Sequence, residues 1–74
     1  MYFFHKGVQY DVAEVLSRES CEIYLSLNGA SGKWEARVCW NWENMGEKDY
    51  EGNSIEAALS KAASDRVEEG DRNT

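Results

Sequence analysis

The clearest pattern of apolar and polar positions along the chain lies between residues 21 and 42. In two segments, 21–27 and 33–42, every second residue is apolar and most of the residues between them are polar. This period of two is typical of strands that bury one face. The Asn and Gly residues of segment 28–32 favour a hairpin connection. The sequence therefore predicts an antiparallel hairpin whose buried face carries Cys21, Ile23, Leu25, Leu27, Trp34, Ala36, Val38, Trp40 and Trp42.

The register of this hairpin follows from the requirement that both strands bury the same face. That requirement is met when Leu27 lies opposite Trp34, whereas a slip by one residue would send the tryptophans to the other face. In this register Cys21 and Cys39 lie on opposite faces of the sheet. We therefore expect no disulfide and two free thiols, as is typical of a reducing cytoplasm.

The N-terminal part carries two weaker patterns. Residues 1–5 are rich in aromatic side chains and predict a short strand, followed by a turn at 6–7. Alternation over residues 8–13 predicts a second strand. The apolar residues of segment 11–19 also fit the spacing of a helix. Because Val and Tyr favour strands, we prefer a strand with a bulge near Glu14 and keep the short helix as the alternative.

The C-terminal part predicts one long helix over residues 54–69. Apolar residues recur there at spacings of three and four, and Asn53 or Ser54 can cap the first turn. Gly70 is expected to end this helix, which leaves residues 71–74 as a frayed tail.

The segment between hairpin and helix, Glu43 to Gly52, is polar, contains two glycines and is expected to form a loop. Together these elements predict an α+β fold, in which an antiparallel sheet of three to four strands carries one C-terminal helix packed on one face. The length of 74 residues allows one domain, expected over residues 1–70.

Composition narrows the class of protein. Apolar residues make up 42% of the chain and aromatic residues 12%, too many for a disordered protein. The chain carries 14 Asp and Glu residues against 8 Lys and Arg residues, a net charge of −6. Direct binding to nucleic acid or to an anionic membrane needs a surplus of basic residues, so we expect neither. With no apolar segment approaching a membrane span and no signal-peptide pattern, we expect a cytoplasmic protein.

Catalytic and metal-binding patterns are weak. The single histidine, His5, has no positioned partner that would make it a general base. Neither cysteine lies near a His or in a Cys-x-x-Cys motif. Residues 47–52 match the first positions of a calcium-binding loop, but Ala58 stands where the bidentate Glu is required. We therefore expect no enzyme, no metal site and no cofactor.

Acidic residues are the remaining signal, and they gather in the predicted loop and around the helix end. Glu68 and Glu69 stand where the helix dipole favours cations. These clusters form either a solvated surface or a negative patch that steers the protein to a basic partner. Trp42, at the strand end, and the tyrosines Tyr24 and Tyr50 are candidate aromatic anchors. The predicted partner-binding residues are Glu43, Glu47, Asp49, Tyr50, Glu51, Asp65, Glu68 and Glu69.

Two resemblances bear on function. The run from Tyr50 to Ala62 resembles the Gly-x-Ser/Thr-x-Glu-Ala-Leu segment of HicB-like antitoxin domains, in which a hairpin likewise precedes a helix. The Pro-rich turn of that family is absent, since the chain has no Pro. In size, acidity and architecture the chain also resembles small phage-encoded anti-CRISPR proteins, which bind a CRISPR effector and in some cases imitate DNA.

Both resemblances imply a non-enzymatic inhibitor that occupies a basic protein partner, one that itself binds nucleic acid. If the chain is phage-encoded, the inhibitor would act in the cytoplasm of the bacterial host. The alternative is an antitoxin-like or dimerising interaction module without DNA mimicry. Both a monomer and a homodimer remain open.

Overall fold

The computed structural model describes residues 1–18, 21–41 and 45–72. In chain order the elements are β1 (Tyr2–His5), β2 (Val8–Asp11), α1 (Val12–Ser17), β3 (Glu22–Asn28), β4 (Lys33–Cys39), β5 (Glu47–Gly52) and α2 (Ile55–Arg72). Strands β1 and β2 form a two-stranded antiparallel sheet, and the other three form an antiparallel sheet in the order β3-β4-β5. Helix α2 packs on β4 and β5 and also contacts α1 and β1. The predicted α+β fold is confirmed, with the strands divided between two sheets.

The central hairpin has the predicted register, since Leu27 pairs with Trp34 along β3 and β4. Its turn is held by the side chain of Asn28, which accepts a hydrogen bond from the backbone N–H of Ala30 at 3.0 Å. Gly32 closes the turn with a φ of 72°, a left-handed conformation that favours glycine. Cys21 and Cys39 are not joined in a disulfide, as expected.

The N-terminal hairpin over residues 2–11 is confirmed, but the preference for a strand is wrong over residues 12–17, and Glu19 lies outside the described residues. Residues 12–17 form helix α1, the alternative that the apolar spacing also allowed. Asp11 begins the helix, because its side chain accepts a backbone N–H of the first turn at 3.3 Å. One face of α1 is buried and carries Val12, Val15 and Leu16.

The predicted loop over residues 43–52 is wrong from Glu47 onward, because residues 47–52 form β5. The strand pairs with β4, so that Tyr50 lies opposite Ala36. Gly52 is buried where β5 passes close to the start of α2. A Cβ at Gly52 would lie 2.7 Å from the Ala57 Cβ, so only glycine fits this crossing.

Helix α2 is longer than predicted. Ser54 caps it, since its hydroxyl accepts a backbone N–H of the first turn at 3.1 Å. The helix continues through Gly70 to Arg72, so the predicted end at Gly70 and the tail over residues 71 and 72 are wrong. The rest of the predicted tail, residues 73 and 74, lies outside the described residues. Asp71 accepts a hydrogen bond from the His5 ring at 2.8 Å, which ties this last turn to β1.

The core lies between α2 and the face of the three-stranded sheet that packs against it, which we call the inner face. The alanines of α2 provide room for large sheet side chains. Trp40 is buried as predicted, Trp34 is only partly buried, and Trp42 lies outside the described residues. The central cluster consists of Val12, Val15, Leu16, Val38, Trp40, Met45, Ala62 and Ala63.

Two leucines of the inner face remain exposed. Leu25 and Leu27 are 45% and 55% exposed, because α2 lies over β4 and β5 and leaves these two positions of β3 uncovered, whereas Ile23 on the same side packs against the core. No helix of the described part of the chain is long and apolar enough to cross a membrane.

Candidate partner-binding surface

The outer face of the three-stranded sheet, opposite α2, carries the main concentration of unburied charge. The strand pairing fixes which residues share this face, because Tyr24 pairs with Arg37 and Arg37 pairs with Asp49. All of its side chains are exposed or only partly buried. They are Glu22, Tyr24, Ser26, Asn28, Lys33, Glu35, Arg37, Cys39, Glu47, Asp49 and Glu51.

Five of these side chains are carboxylates and two are cations, so the net charge of the face is −3, half of the −6 of the whole chain. We call this surface the acidic face. Its charged members are Glu22, Glu35, Glu47, Asp49, Glu51, Lys33 and Arg37.

The two cations each contact carboxylates of β5. The Arg37 Nε lies 3.4 Å from Glu47 Oε1 and 3.0 Å from Asp49 Oδ1. The hydrogen bond to Asp49 and the charges of both carboxylates raise the pKa of the Arg37 guanidinium. Lys33 Nζ lies 3.3 Å from Glu51 Oε1. Because these pairs are exposed, water and salt screen them and they contribute little to folding stability.

One carboxylate pair on the acidic face opposes strand pairing. Glu35 lies directly opposite Glu51, and like charges in this position destabilise a sheet. No salt bridge joins Glu35 to any of the residues that the structure describes. The contact of Glu51 with Lys33 offsets part of this repulsion.

A shallow open groove of about 530 Å³ crosses the acidic face. Three carboxylates, one guanidinium, a phenol and a thiol line it, so the groove is suited to an incoming basic side chain. Its lining residues are Tyr24, Ser26, Glu35, Arg37, Cys39, Glu47 and Asp49.

The phenol and the thiol of the groove are both held in their protonated forms. Tyr24 donates a hydrogen bond of 2.7 Å to Glu22, which raises the pKa of the phenol. Desolvation raises the pKa of the Cys39 thiol, and the neighbouring charge of Glu47 adds to the effect. A protonated thiol is a weak nucleophile, so Cys39 is better suited to contact than to covalent chemistry.

Tyr50 and Asp65 lie on the other side of the sheet, in a hydrogen-bond network between β5 and α2. The Tyr50 hydroxyl donates to Asp65 Oδ2 at 2.6 Å and accepts from the Trp40 indole at 3.1 Å. Lys48 also contacts Asp65, at 3.2 Å. Burial and the bond to Asp65 raise the pKa of Tyr50. In this position the two residues support the fold.

The acidic residues at the end of α2 belong neither to the acidic face nor to the network around Tyr50. Glu68 and Glu69 both pair with Arg72 in the last turns of α2. The side chain of Glu69 is only 14% exposed. The helix end therefore compensates much of its own negative charge.

The structure thus divides the predicted partner-binding residues among three places. The acidic face holds Glu47, Asp49 and Glu51; the interior network holds Tyr50 and Asp65; the helix end holds Glu68 and Glu69. Glu43 lies outside the described residues.

Sequence reasoning missed Glu22 and Glu35 as members of the surface. Their alternation with apolar neighbours already placed both on the outer face, but the grouping appears only when residues 47–52 are recognised as a strand.

Within the described residues, no group of three or more His, Cys, Asp or Glu side chains is arranged to hold a metal ion.

The chain matches no protein-family model, and no curated protein sequence or solved structure is significantly similar to it. A function has to be inferred from the surface that the chain presents.

Proposed function

We propose that this chain is a non-enzymatic binding protein that inhibits a nucleic-acid-binding partner by docking its acidic face onto the partner's basic surface. The observation that carries the proposal is the set of five carboxylates against two cations on one uncovered sheet face. A negative surface of this kind attracts a positively charged partner and accelerates association.

The strands present these carboxylates in a fixed array. Alternate residues on one side of a strand lie about 6.8 Å apart, so Glu47, Asp49 and Glu51 form a straight row along β5. Neighbouring strands are about 4.8 Å apart, which places Glu35 beside this row. Because the backbone is held in the sheet, little of it has to be ordered on binding.

The net charge of the acidic face limits how much of a DNA backbone this face can imitate. Its longest strands, of seven residues, extend over about 20 Å, a length of B-DNA that carries about 12 phosphate charges. The face carries a net charge of −3 in that length. The charge of the acidic face therefore equals that of only a few phosphates. We expect the face to bind a limited number of the Lys and Arg side chains in the partner's channel.

A CRISPR effector is a partner of this chemistry, because it holds nucleic acid in a positively charged channel. It is also the partner class that the resemblance to anti-CRISPR proteins implies. Within the same proposal the chain acts in the cytoplasm of a bacterial host, without a cofactor.

The test is displacement of a fluorescent target DNA from a purified, guide-loaded CRISPR effector. The face variant carries Glu47→Gln and Glu51→Gln. The matched control carries Glu14→Gln and Glu56→Gln, which remove the same charge from exposed helix positions outside the predicted partner-binding set. We expect the native chain and the control to displace DNA, and the face variant to be weaker by roughly tenfold or more.

Rising salt should weaken displacement by the native chain, because the attraction is between exposed charges. Equal potency of the face variant and the control would contradict a role for the acidic face. A native chain that displaces no DNA from the effectors tested would contradict the proposed partner.

A further inference from the structure

The free edge of β3 offers backbone hydrogen-bonding groups, a means of binding different from the carboxylates of the acidic face. In the order β3-β4-β5 both outer strands pair on one side only, so each presents unpaired backbone groups among the described residues. Such an edge can pair with another chain unless charge, proline or a bulge prevents it. The two edges of this sheet differ in that respect.

The β5 edge is protected by its charges. Antiparallel pairing of β5 with a second copy about its middle would place Asp49 opposite Asp49 and Glu47 opposite Glu51. Like charges directly opposite each other destabilise strand pairing. The outward row of carboxylates thus opposes self-association at this edge.

The β3 edge has no comparable protection. Its only charged residue is Glu22 at one end, and it contains no proline. Leu25 and Leu27 are 45% and 55% exposed on its inner side, and Tyr24 is 57% exposed on its outer side. An unprotected edge with exposed apolar side chains on both sides is typical of a strand that pairs with another chain.

We propose that two copies of this chain pair antiparallel through β3 and form a continuous six-stranded sheet. With the twofold axis at Leu25, the two copies of Leu25 face each other and Ile23 faces Leu27 of the second copy. All three residues lie on the inner face, so apolar side chains meet across the axis.

The remaining pairs in this register are also compatible. Tyr24 faces Ser26 of the second copy, and Glu22 faces Asn28, so no two like charges meet. All seven residues of β3 find a partner, whereas moving the axis by one residue leaves part of each strand unpaired. The sequence of β3 is therefore complementary to itself, as a twofold interface requires.

The dimer would join two acidic faces on the outer side of one sheet. Because Leu25 lies on the inner face and Phe4 lies on β1, substitutions at these positions test dimerisation without altering the carboxylates of the acidic face.

The first test is analytical ultracentrifugation from low micromolar to about 1 mM protein. We expect a reversible equilibrium between monomer and dimer. Leu25→Lys places two ammonium groups opposite each other at the axis and should raise the dissociation constant roughly tenfold or more. Phe4→Lys is the matched control, because Phe4 is 71% exposed on β1, away from β3, and its replacement should leave the equilibrium unchanged.

The second test measures the register by disulfide cross-linking, in a background with Cys21→Ser and Cys39→Ser. Directly opposed residues have Cα atoms about 4.5–5.5 Å apart, within the range of a disulfide, so Leu25→Cys should cross-link the two copies. The two copies of residue 27 would lie more than about 13 Å apart, so Leu27→Cys should remain uncross-linked.

Circular dichroism of each variant establishes that it is folded. A native chain that stays monomeric up to about 1 mM would overturn the proposal. So would a dimer that persists in folded Leu25→Lys, a dimer that Phe4→Lys disrupts instead, or equal cross-linking at positions 25 and 27.

Discussion

Replacing Tyr50 by Phe is expected to destabilise the protein substantially, although it removes only one oxygen atom. The hydroxyl is the centre of the network between β5 and α2, since it donates to Asp65 at 2.6 Å and accepts from Trp40 at 3.1 Å. Phe retains the ring and its packing. The change therefore isolates the contribution of the hydrogen bonds.

The magnitude follows from the two bonds that are lost. A hydrogen bond to a charged acceptor such as the Asp65 carboxylate contributes about 1.5–3 kcal/mol, and a buried donor left without a partner costs about 1–3 kcal/mol. Trp40 is 6% exposed, so its indole N–H has little access to water. The side chain of Asp65 is 23% exposed and keeps Lys48, which reduces its share of the loss. We expect a total of about 2–3 kcal/mol, or about 10–20 °C in the melting temperature.

The assay is thermal and urea unfolding followed by tryptophan fluorescence and circular dichroism. Tyr24→Phe is the matched control, because it removes a hydroxyl that also donates to a carboxylate, Glu22 at 2.7 Å, but on the exposed outer face. Water can replace that bond, so the control should unfold close to the native chain. A loss in Tyr50→Phe no larger than in Tyr24→Phe would refute the assignment of the network to the fold.

The pH dependence gives a second readout for Tyr50. Its pKa is raised in the folded protein, so the unfolded chain loses the phenolic proton first as the pH rises. The stabilisation by the neutral phenol is therefore present below about pH 10 and decreases above it. The stability difference between the native chain and Tyr50→Phe should shrink over that alkaline range, and a constant difference would contradict this explanation.

Three further predictions concern other parts of the molecule. Gly52→Ala should cost about 1–3 kcal/mol in urea unfolding, because its Cβ would clash with the first turn of α2, while Gly29→Ala, with open space around it, should be nearly neutral. The hydrogen bond from His5 lowers the pKa of Asp71, so its stabilisation is present above about pH 4 and is lost as the pH falls through that lowered pKa. Asp71→Asn should therefore be less stable than the native chain at about pH 6, and this difference should shrink as the pH falls below about 4; a difference that does not change with pH would contradict the role of this pair. Arg37→Gln makes the acidic face more negative and should speed association with the guide-loaded effector in stopped-flow measurements, whereas slower association would count against electrostatic steering.

The parts of the fold that the sequence predicted are those where one face is apolar. Along β3 and β4 the apolar residues alternate strictly, and the pairing of Leu27 with Trp34 follows from burial of a single face. In α2 the apolar spacing and the Ser54 cap predict the start of the helix. Its end was missed because Gly70 does not adopt the positive φ with which a glycine commonly ends a helix.

Strand β5 was missed because its inner face is not apolar enough to show alternation. Lys48 and Tyr50 carry polar groups that are satisfied by Asp65, 17 and 15 residues further along the chain. The pattern of residues within the strand does not reveal a hydrogen-bond partner so far along the chain. The acidic face was missed for the same reason, since a polar segment rich in carboxylates is interpreted as a loop when the strand is not recognised.

Helix α1 illustrates a competition between local signals. Val12 and Val15 favour strands by propensity, but Asp11 caps a helical turn and the tertiary structure buries one helical face. Burial decided the outcome.

The alternation of β5 allows the binding surface to change without loss of the fold. Positions 47, 49 and 51 point away from the core, while 48, 50 and 52 contact or approach α2. In a saturation mutagenesis of this strand, effects on binding and effects on stability should alternate from one residue to the next. A chain built in this way can acquire a new specificity through odd-numbered substitutions while the even-numbered positions keep it folded.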